Sequence, residues 1–326
     1  MMAKHVFVAD LGGSKLAAAL VDRQGEISAR KSMPVDLSSA MAPVKQIIGV
    51  AQEWAGRGSP RKAFKAVGVA VPGLVRRNEM VWAPNLPRWA KMPLARRLRR
   101  ALGIPCVVES DRNVAVLGEM WSGRARGKSD AIVLIVGTGI GAGIVSGGRL
   151  VRGAHELSGC AGWMVVTNEH VAEAQRVGQL EALAAGPAIA RAAQMELARG
   201  KGGLLEQIPA ETINAYAVAE AARRGDIVAM DVFLEVGRVL GHGVANLVSL
   251  FDPEIVVIGG GIAGASDLYL EALQKGMKEK AQPLAAKQVR VVVSTLGGDA
   301  NLLGAGRLAW EVVQKSVVRT GRRAEE

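Results

Sequence analysis

The chain opens with apolar runs too short for helices, broken at regular intervals by turn residues. Val6-Phe7-Val8-Ala9 leads into a glycine turn, Leu16 to Val21 into Asp22-Arg23-Gln24-Gly25, and Glu26-Ile27-Ser28 follows. This pattern predicts strand, tight turn, strand, turn, strand. A helix is expected near Ala40 to Trp54, and a strand over Ala66 to Val71 that ends at Pro72-Gly73. A basic helix at about 91–102, a strand at Cys106-Val107-Val108-Glu109 and a helix over Arg112 to Trp121 complete the first half. The opening pattern then recurs. Ala131 to Val136 reads as a strand, Gly137-Thr138-Gly139 as a turn, Ala142 to Ser146 as a strand, Gly147-Gly148 as a hairpin turn and Arg149-Leu150-Val151 as a third strand. One supersecondary unit thus appears twice, one copy per half. The remainder is mostly helical: Ala188 to Ala198, Ala215 to Arg224, Ile227 to Phe251 stopped by Asp252-Pro253, Asp267 to Ala281, and Leu302 to Gln314. Strands are expected at Glu254 to Ile258 and Val289 to Val293, and Thr320 to Glu326 is expected to fray.

Composition refines this picture. At 326 residues the chain has room for two ordinary domains, and 49% apolar residues suffice for packed cores. The net charge of +11 raises nucleic acid or a membrane surface as partners. Much of that charge sits on Arg88 to Arg100, where Leu94, Leu98 and Leu102 form an apolar stripe and the arginines take the opposite, solvated face. Only Trp89 lies among those arginines, so no base-stacking platform is suggested. The uncharged stretch Ala131 to Gly148 has the length of a membrane span, but its six glycines read as turns between buried strands. Cys106 and Cys160 are too few for a disulfide framework, and no cysteine or histidine pair has metal-ligand spacing, so a cytoplasmic protein is expected.

Three glycine loops and one acid carry the candidate chemistry. In Asp10-Leu11-Gly12-Gly13-Ser14-Lys15 a carboxylate ends a strand and two glycines let backbone N–H groups approach a phosphate. Asp10 could hold Mg²⁺ through water. Gly137-Thr138-Gly139-Ile140-Gly141 is the second such loop; each alone is equally a plain hairpin turn, and the two together suggest a clamp on a triphosphate. Gly259 to Gly264 contains G-x-G-x-x-G between a strand and a helix, the dinucleotide fingerprint. The acid that should end the next strand is missing from Val293-Ser294-Thr295, so a turn against adenine or ribose, at Gly260 and Gly261, suits these residues better than a dehydrogenase site. Asp111 stands where a strand gives way to a helix. It, or Ser110, could cap that helix, and Asp111 could also serve as general base toward a sugar hydroxyl. Asn85 could bind a sugar hydroxyl or make an Asx turn.

These residues together resemble the ROK family (repressors, open reading frames and kinases) of the actin–hexokinase fold, from about Val6 to Leu308. Asp10 to Lys15 and Gly137 to Gly143 resemble its two phosphate motifs, and Val71-Pro72-Gly73 and Ala83-Pro84-Asn85-Leu86-Pro87 its sugar-side segments. Glu109-Ser110-Asp111-Arg112-Asn113 resembles its E-N-D-A-N, which implies Asp111 as the catalytic base and Ser110 beside the sugar. Asn246 to Gly261 resembles its adenosine segment, and Gly304-Ala305 its closing segment. Where the family reads G-E-I-G-H, this chain has Gly159-Cys160-Ala161-Gly162-Trp163, so Cys160 and Trp163 replace the sugar-contacting Glu and His. The family's zinc ligands fall on Trp163, Ala172, Ala174 and Gln179, none of which binds structural zinc, while Glu181 keeps the place of the last sugar-binding Glu. Apolar packing, with Trp163 as anchor, is expected to hold Cys160 to Leu180 instead.

The resemblance implies an α/β fold of two ribonuclease-H-like domains around a nucleotide cleft. One domain would cover 1–112 plus the C-terminal helix 302–318, the other 113–301. The implied activity is transfer of the γ-phosphate of Mg-ATP to a small-molecule sugar, with ATP and Mg²⁺ as cofactors, no zinc and no membrane. The repressor branch carries an N-terminal helix-turn-helix, for which a first strand at about residue 5 leaves no room, so nucleic acid is not expected as partner. A homodimer and the identity of the sugar stay open. The alternative is a sugar- or nucleotide-binding sensor that has lost catalysis.

Overall fold

The computed structural model describes residues 4–76, 79–83, 86, 89–201 and 203–322. Contacts divide the chain into two compact units, 1–127 with 152–157 and 298–326, and 128–151 with 158–297.

The first unit is built on β1 (His5–Leu11), β2 (Lys15–Val21), β3 (Ile27–Pro34), β4 (Phe64–Val71) and β7 (Cys106–Ser110) in the order β3-β2-β1-β4-β7. The first three are antiparallel, paired Asp10 to Ala17 and Ala18 to Lys31, while β4 and β7 join in parallel. Burial follows position. Interior β4 is buried at all but Lys65, as strands covered on both sides require, whereas β3 at the edge alternates half-buried and exposed residues. A small hairpin of β5 (Leu74–Arg76) and β6 (Glu79–Trp82), not foreseen from the sequence, follows β4. Helices α1 (Ala42–Ala55), α2 (Pro60–Ala63), α3 (Leu94–Leu102) and α4 (Asp111–Ser122) complete the run. In α3 the predicted stripe of Leu94, Leu98 and Leu102 is buried and Gly103 ends the helix with a left-handed φ of 71°.

The second unit repeats the design. Its strands β8 (Ala131–Val136), β9 (Ile140–Ser146), β10 (Arg149–Leu150), β11 (Ile255–Gly259) and β12 (Arg290–Val293) lie in the order β10-β9-β8-β11-β12, the same path as in the first sheet. Helices α5 (Ala174–Val177), α6 (Gln179–Ala184), α7 (Gly186–Ala198), α8 (Ala215–Arg223), α9 (Ile227–Phe251), α10 (Ser266–Lys280) and α11 (Pro283–Gln288) cover it. Asn214 and Asp226 cap α8 and α9 with side-chain oxygens. Each unit has its own core: Phe7, Leu16, Ile47 and Leu98 in the first, Ile132, Phe233, Leu240 and Tyr269 in the second. Among the described residues no helix is long and apolar enough to cross a membrane.

The chain then returns to the first unit as α12 (Asp299–Arg322). It begins three residues before the expected Leu302, because an acidic first turn suits the partial positive charge of a helix N-terminus although it lacks an apolar signal. It runs through Thr320 to Arg322, where fraying was expected; residues 323–326 lie outside the described ones. Helices α12 and α4 touch through their backbones. A Cβ at Gly304 would strike the carbonyl oxygen of Val114, and one at Gly118 that of Ala300. Glycine at both places is what allows this approach.

Candidate functional site

The ends of two strands that flank β4 carry the candidate acids of the first unit. Asp10 is the next-to-last residue of β1, and Asp111 is the first residue of α4, just beyond β7. Asn301, in the first turn of α12, donates from Nδ2 to Asp10 Oδ2 at 3.1 Å. Burial raises the Asp10 carboxyl from its ordinary 3.8 to about 6; the Asn301 bond and Lys15 oppose the rise, and the charge of Asp111 adds to it. Asp111 is also raised, again by burial first, against the opposing pull of the Arg112 N–H, the Arg112 charge and the Ser110 hydroxyl. Its Oδ1 accepts from Arg112 N at 2.8 Å and Ser110 Oγ at 3.3 Å. Ser110 occupies the cap position of α4 without a side-chain capping bond, so neither of the capping roles considered is filled through the helix's later N–H groups.

Beneath them a buried acid holds the junction. Glu109 Oε1 accepts from Ser110 N at 2.9 Å and Asn113 Nδ2 at 3.0 Å, while Oε2 takes a two-pronged ion pair from Arg152 at 3.0 and 2.8 Å. Two fixed donors and a guanidinium leave this carboxylate no freedom. Arg112 adds a bond from its guanidinium to the Glu156 carbonyl at 3.2 Å. Asn301 and Arg152 escaped the sequence reading, since their partners Asp10 and Glu109 lie far away in the chain; Glu109 stands in a quoted motif with Ser110 and Asn113, but nothing in the motif says that its carboxylate binds them.

The first glycine loop closes with Gly12 N donating to Lys15 O at 2.9 Å. A Cβ at Gly12 would stand 3.1 Å from that same oxygen, so a tight turn and not an unusual φ explains the glycine. Ser14 and Lys15 are exposed on it, and Gly13 is half-buried. Asn85 lies outside the described residues.

In the second unit a cavity of about 640 Å³ is lined by Gly137 and Thr138 of the second loop, Gly261, Ile262 and Gly264 after β11, and Pro187, Tyr216 and Phe233 from the helices. Gly260 lies behind this wall at φ 86°, where any side chain would meet the Val136 carbonyl. Gly137 is tied to the start of α7, its carbonyl accepting from Gly186 N at 2.8 Å. Asn214 and Arg223 border the cavity with committed polar groups: the first caps α8, the second pairs with Asp267 at 2.8 Å and bonds Gly264 O at 2.7 Å. The helix residues of this wall were not anticipated, because apolar lining residues look like core in a sequence.

Gly139 faces away from that cavity toward Glu181, whose Oε2 accepts from Ile140 N at 2.7 Å; burial raises this carboxyl above the usual range. Gly162 approaches the same carboxylate, so the turn carrying Cys160 and Trp163 packs beside it. Trp163 is 57% exposed and does not anchor the segment, contrary to expectation. Leu180 and Ala161 are the buried apolar residues there, and bonds from the Gln179 amide supply the rest. Trp163 closes the short helical turn Ala161–Trp163 with its indole exposed, which residue type alone does not reveal. Trp163, Ala172, Ala174 and Gln179 offer no thiolate, imidazole or carboxylate, so this donor set does not fit zinc. No group of three or more potential metal-binding side chains occurs among the described residues.

Duplicated five-stranded α/β units with glycine loops and an acid at the strand ends define a class, and comparison supplies the family. The chain belongs to the ROK family, whose model matches residues 7–312. It is 33% identical to a glucokinase of Streptomyces coelicolor over 93% of this chain and 96% of that one. It is 30% identical to the xylose repressor of Caldicellulosiruptor bescii over 74% of this chain and 62% of that one. The structure resembles that of a ROK family glucokinase from Streptomyces griseus in complex with glucose and AMPPNP, with a TM-score of 0.79, 31% identity and coverage of 94% and 99%. The family and the actin–hexokinase fold inferred from the motifs are therefore correct, and the chain is a sugar kinase or a regulator of that family.

Proposed function

We propose that this chain is an ATP-dependent carbohydrate kinase that transfers the γ-phosphate of Mg-ATP to a sugar hydroxyl. The observation that carries this reading is Asp111. A burial-raised carboxyl at a strand-to-helix junction, with Oδ1 held by Arg112 N and Ser110 Oγ, is suited to take a proton from a hydroxyl. Oδ1 is bonded by Arg112 and Ser110, leaving Oδ2 to accept that proton as the hydroxyl oxygen attacks phosphorus. Asp10 is the second acid of the pair, and its burial beside Asp111 fits a carboxylate that a cation would hold ionised. It would hold Mg²⁺ through water, and the metal would neutralise phosphate charge. The cavity at Gly137, Thr138 and Gly261 suits the nucleotide, since its glycines leave the loop backbone uncovered by side chains and its helix side is apolar. Such catalysis is chiefly positioning and charge neutralisation.

Ser110, Cys160, Trp163 and Glu181 would line the sugar side, with Asn85. Cys160 hydrogen-bonds weakly and Trp163 has one donor, so two hydroxyls that a Glu and a His would satisfy lose strong partners. At about 1–3 kcal/mol each, that weakens plain glucose by roughly 10²-fold. The exposed indole offers instead a flat face for an apolar sugar face or an acyl group. The same two residues favour the second reading, a sugar-binding regulator without turnover. ADP release measured across hexoses, amino sugars and N-acyl sugars separates them: the kinase reading expects sugar-dependent ADP with a best substrate other than glucose. Glucose as best substrate overturns the pocket assignment, and sugar binding without ADP from any sugar establishes the regulator.

A further inference from the structure

The first turn of α6 holds three separate stretches of chain with three consecutive residues. Gln179 Oε1 accepts from Val166 N at 2.6 Å and Thr167 N at 2.9 Å, and its Nε2 donates to Thr167 O at 3.0 Å and, more distantly, to Glu169 O at 3.5 Å. A primary amide has two acceptor lone pairs and two donors, so all of its capacity is spent on one four-residue stretch. Leu180 N donates to Met164 O at 3.2 Å, and its fully buried side chain lies against Gly243 of α9. Glu181 then takes the Ile140 N–H behind the second glycine loop. Gly178, at φ 88°, makes the turn work. Any side chain there would collide with Gly162 O and the Trp163 backbone. From α9, His242 Nδ1 at 3.3 Å from Val166 O and Asn246 Nδ2 donating to Val165 O at 3.4 Å give only longer, single contacts to the same stretch.

We propose that Gln179 is a positioning residue: its amide clasps residues 166–169 and thereby fixes the wall that presents Trp163. It stands at a place where the family pattern puts a zinc ligand, and hydrogen bonds do there what a metal would otherwise do. The clasp itself is independent of any activity; its effect on sugar binding rests on the kinase reading above.

Two readouts test it in the full chain. In Gln179→Ala the Val166 and Thr167 amides lose their acceptor, and their hydrogen exchange should accelerate about 10-fold, the equivalent of one net hydrogen bond. Gln179→Glu keeps an acceptor for both N–H groups but sets its second oxygen against the Thr167 carbonyl, so it should keep part of the protection. With the best sugar of the panel, Gln179→Ala should raise the sugar KM at least 10-fold and leave the ATP KM within about twofold, with Gln179→Glu restoring it in part. Unchanged exchange in Gln179→Ala overturns the clasp. Faster exchange with an unchanged sugar KM overturns its positioning role. Faster exchange in a protein that turns over no sugar leaves the clasp standing and removes the kinase reading instead. Should Gln179→Ala not fold, Gln179→Asn, with the same amide one methylene short, gives the same readouts.

Discussion

Replacing Asp10 by Asn should stabilise the protein above neutral pH while abolishing its proposed use of Mg-ATP. The Asp10 carboxyl rises from 3.8 to about 6 on folding, chiefly through burial. A native state that holds its proton more tightly than the unfolded chain loses stability as pH rises from the unfolded to the folded value. The loss is absent well below 3.8, develops between about 4 and 6, and is complete above that. Two and a fraction pH units at 1.36 kcal/mol each give about 3 kcal/mol at pH 8. The same linkage leaves about half of that at pH 5. Asn cannot ionise, and its side-chain oxygen can still accept the Asn301 bond. Urea unfolding of both proteins, without nucleotide or Mg²⁺, should show Asp10→Asn ahead by up to about 3 kcal/mol at pH 8, with the gap halved at pH 5. An advantage that does not change with pH, or a variant less stable at pH 8, would refute the idea that this acid is held ionised against its surroundings.

Gly304→Ala should destabilise the first unit, because its methyl would meet the Val114 carbonyl where α12 crosses α4. Overpacking of this kind costs about 1–3 kcal/mol, and a urea midpoint equal to wild type would show that the helices separate freely. Zinc should be absent at stoichiometric level from tag-free protein by elemental analysis, since Trp163, Ala172, Ala174 and Gln179 replace the family's ligands. One zinc per chain would mean that this segment is misaligned with the family pattern.

Much of the fold was legible because its signals are local. The duplicated strand–turn–strand unit is visible as short apolar runs cut by glycine, and both sheets follow the same strand order. The long helix expected over about Ile227 to Phe251 is found there, with Asp252 and Pro253 at its end as read and Asp226 capping its start. The hairpin at Leu74–Arg76 and Glu79–Trp82 was missed; strands of three and four residues carry too little periodicity. The site divides in the same way. Asp10, Asp111 and the glycine loops announce themselves as acids and turns at strand ends. Asn301 does not, since it meets Asp10 across 291 positions of chain. Trp163 looked like a packing anchor because a large apolar residue usually is one, yet its indole is exposed. Gln179 looked like a lost ligand, and only the structure shows four backbone groups around its amide.

The most direct test of the account compares wild type with Asp111→Asn in sugar-dependent ADP release from Mg-ATP, using whichever sugar of the panel is turned over best. Asn keeps the size and the acceptor toward Arg112 N but cannot take a proton. The account predicts a fall in turnover of at least ~10²-fold, with folding and nucleotide binding little changed. Near-normal turnover in Asp111→Asn, or wild-type protein that releases no ADP in response to any sugar, would contradict it.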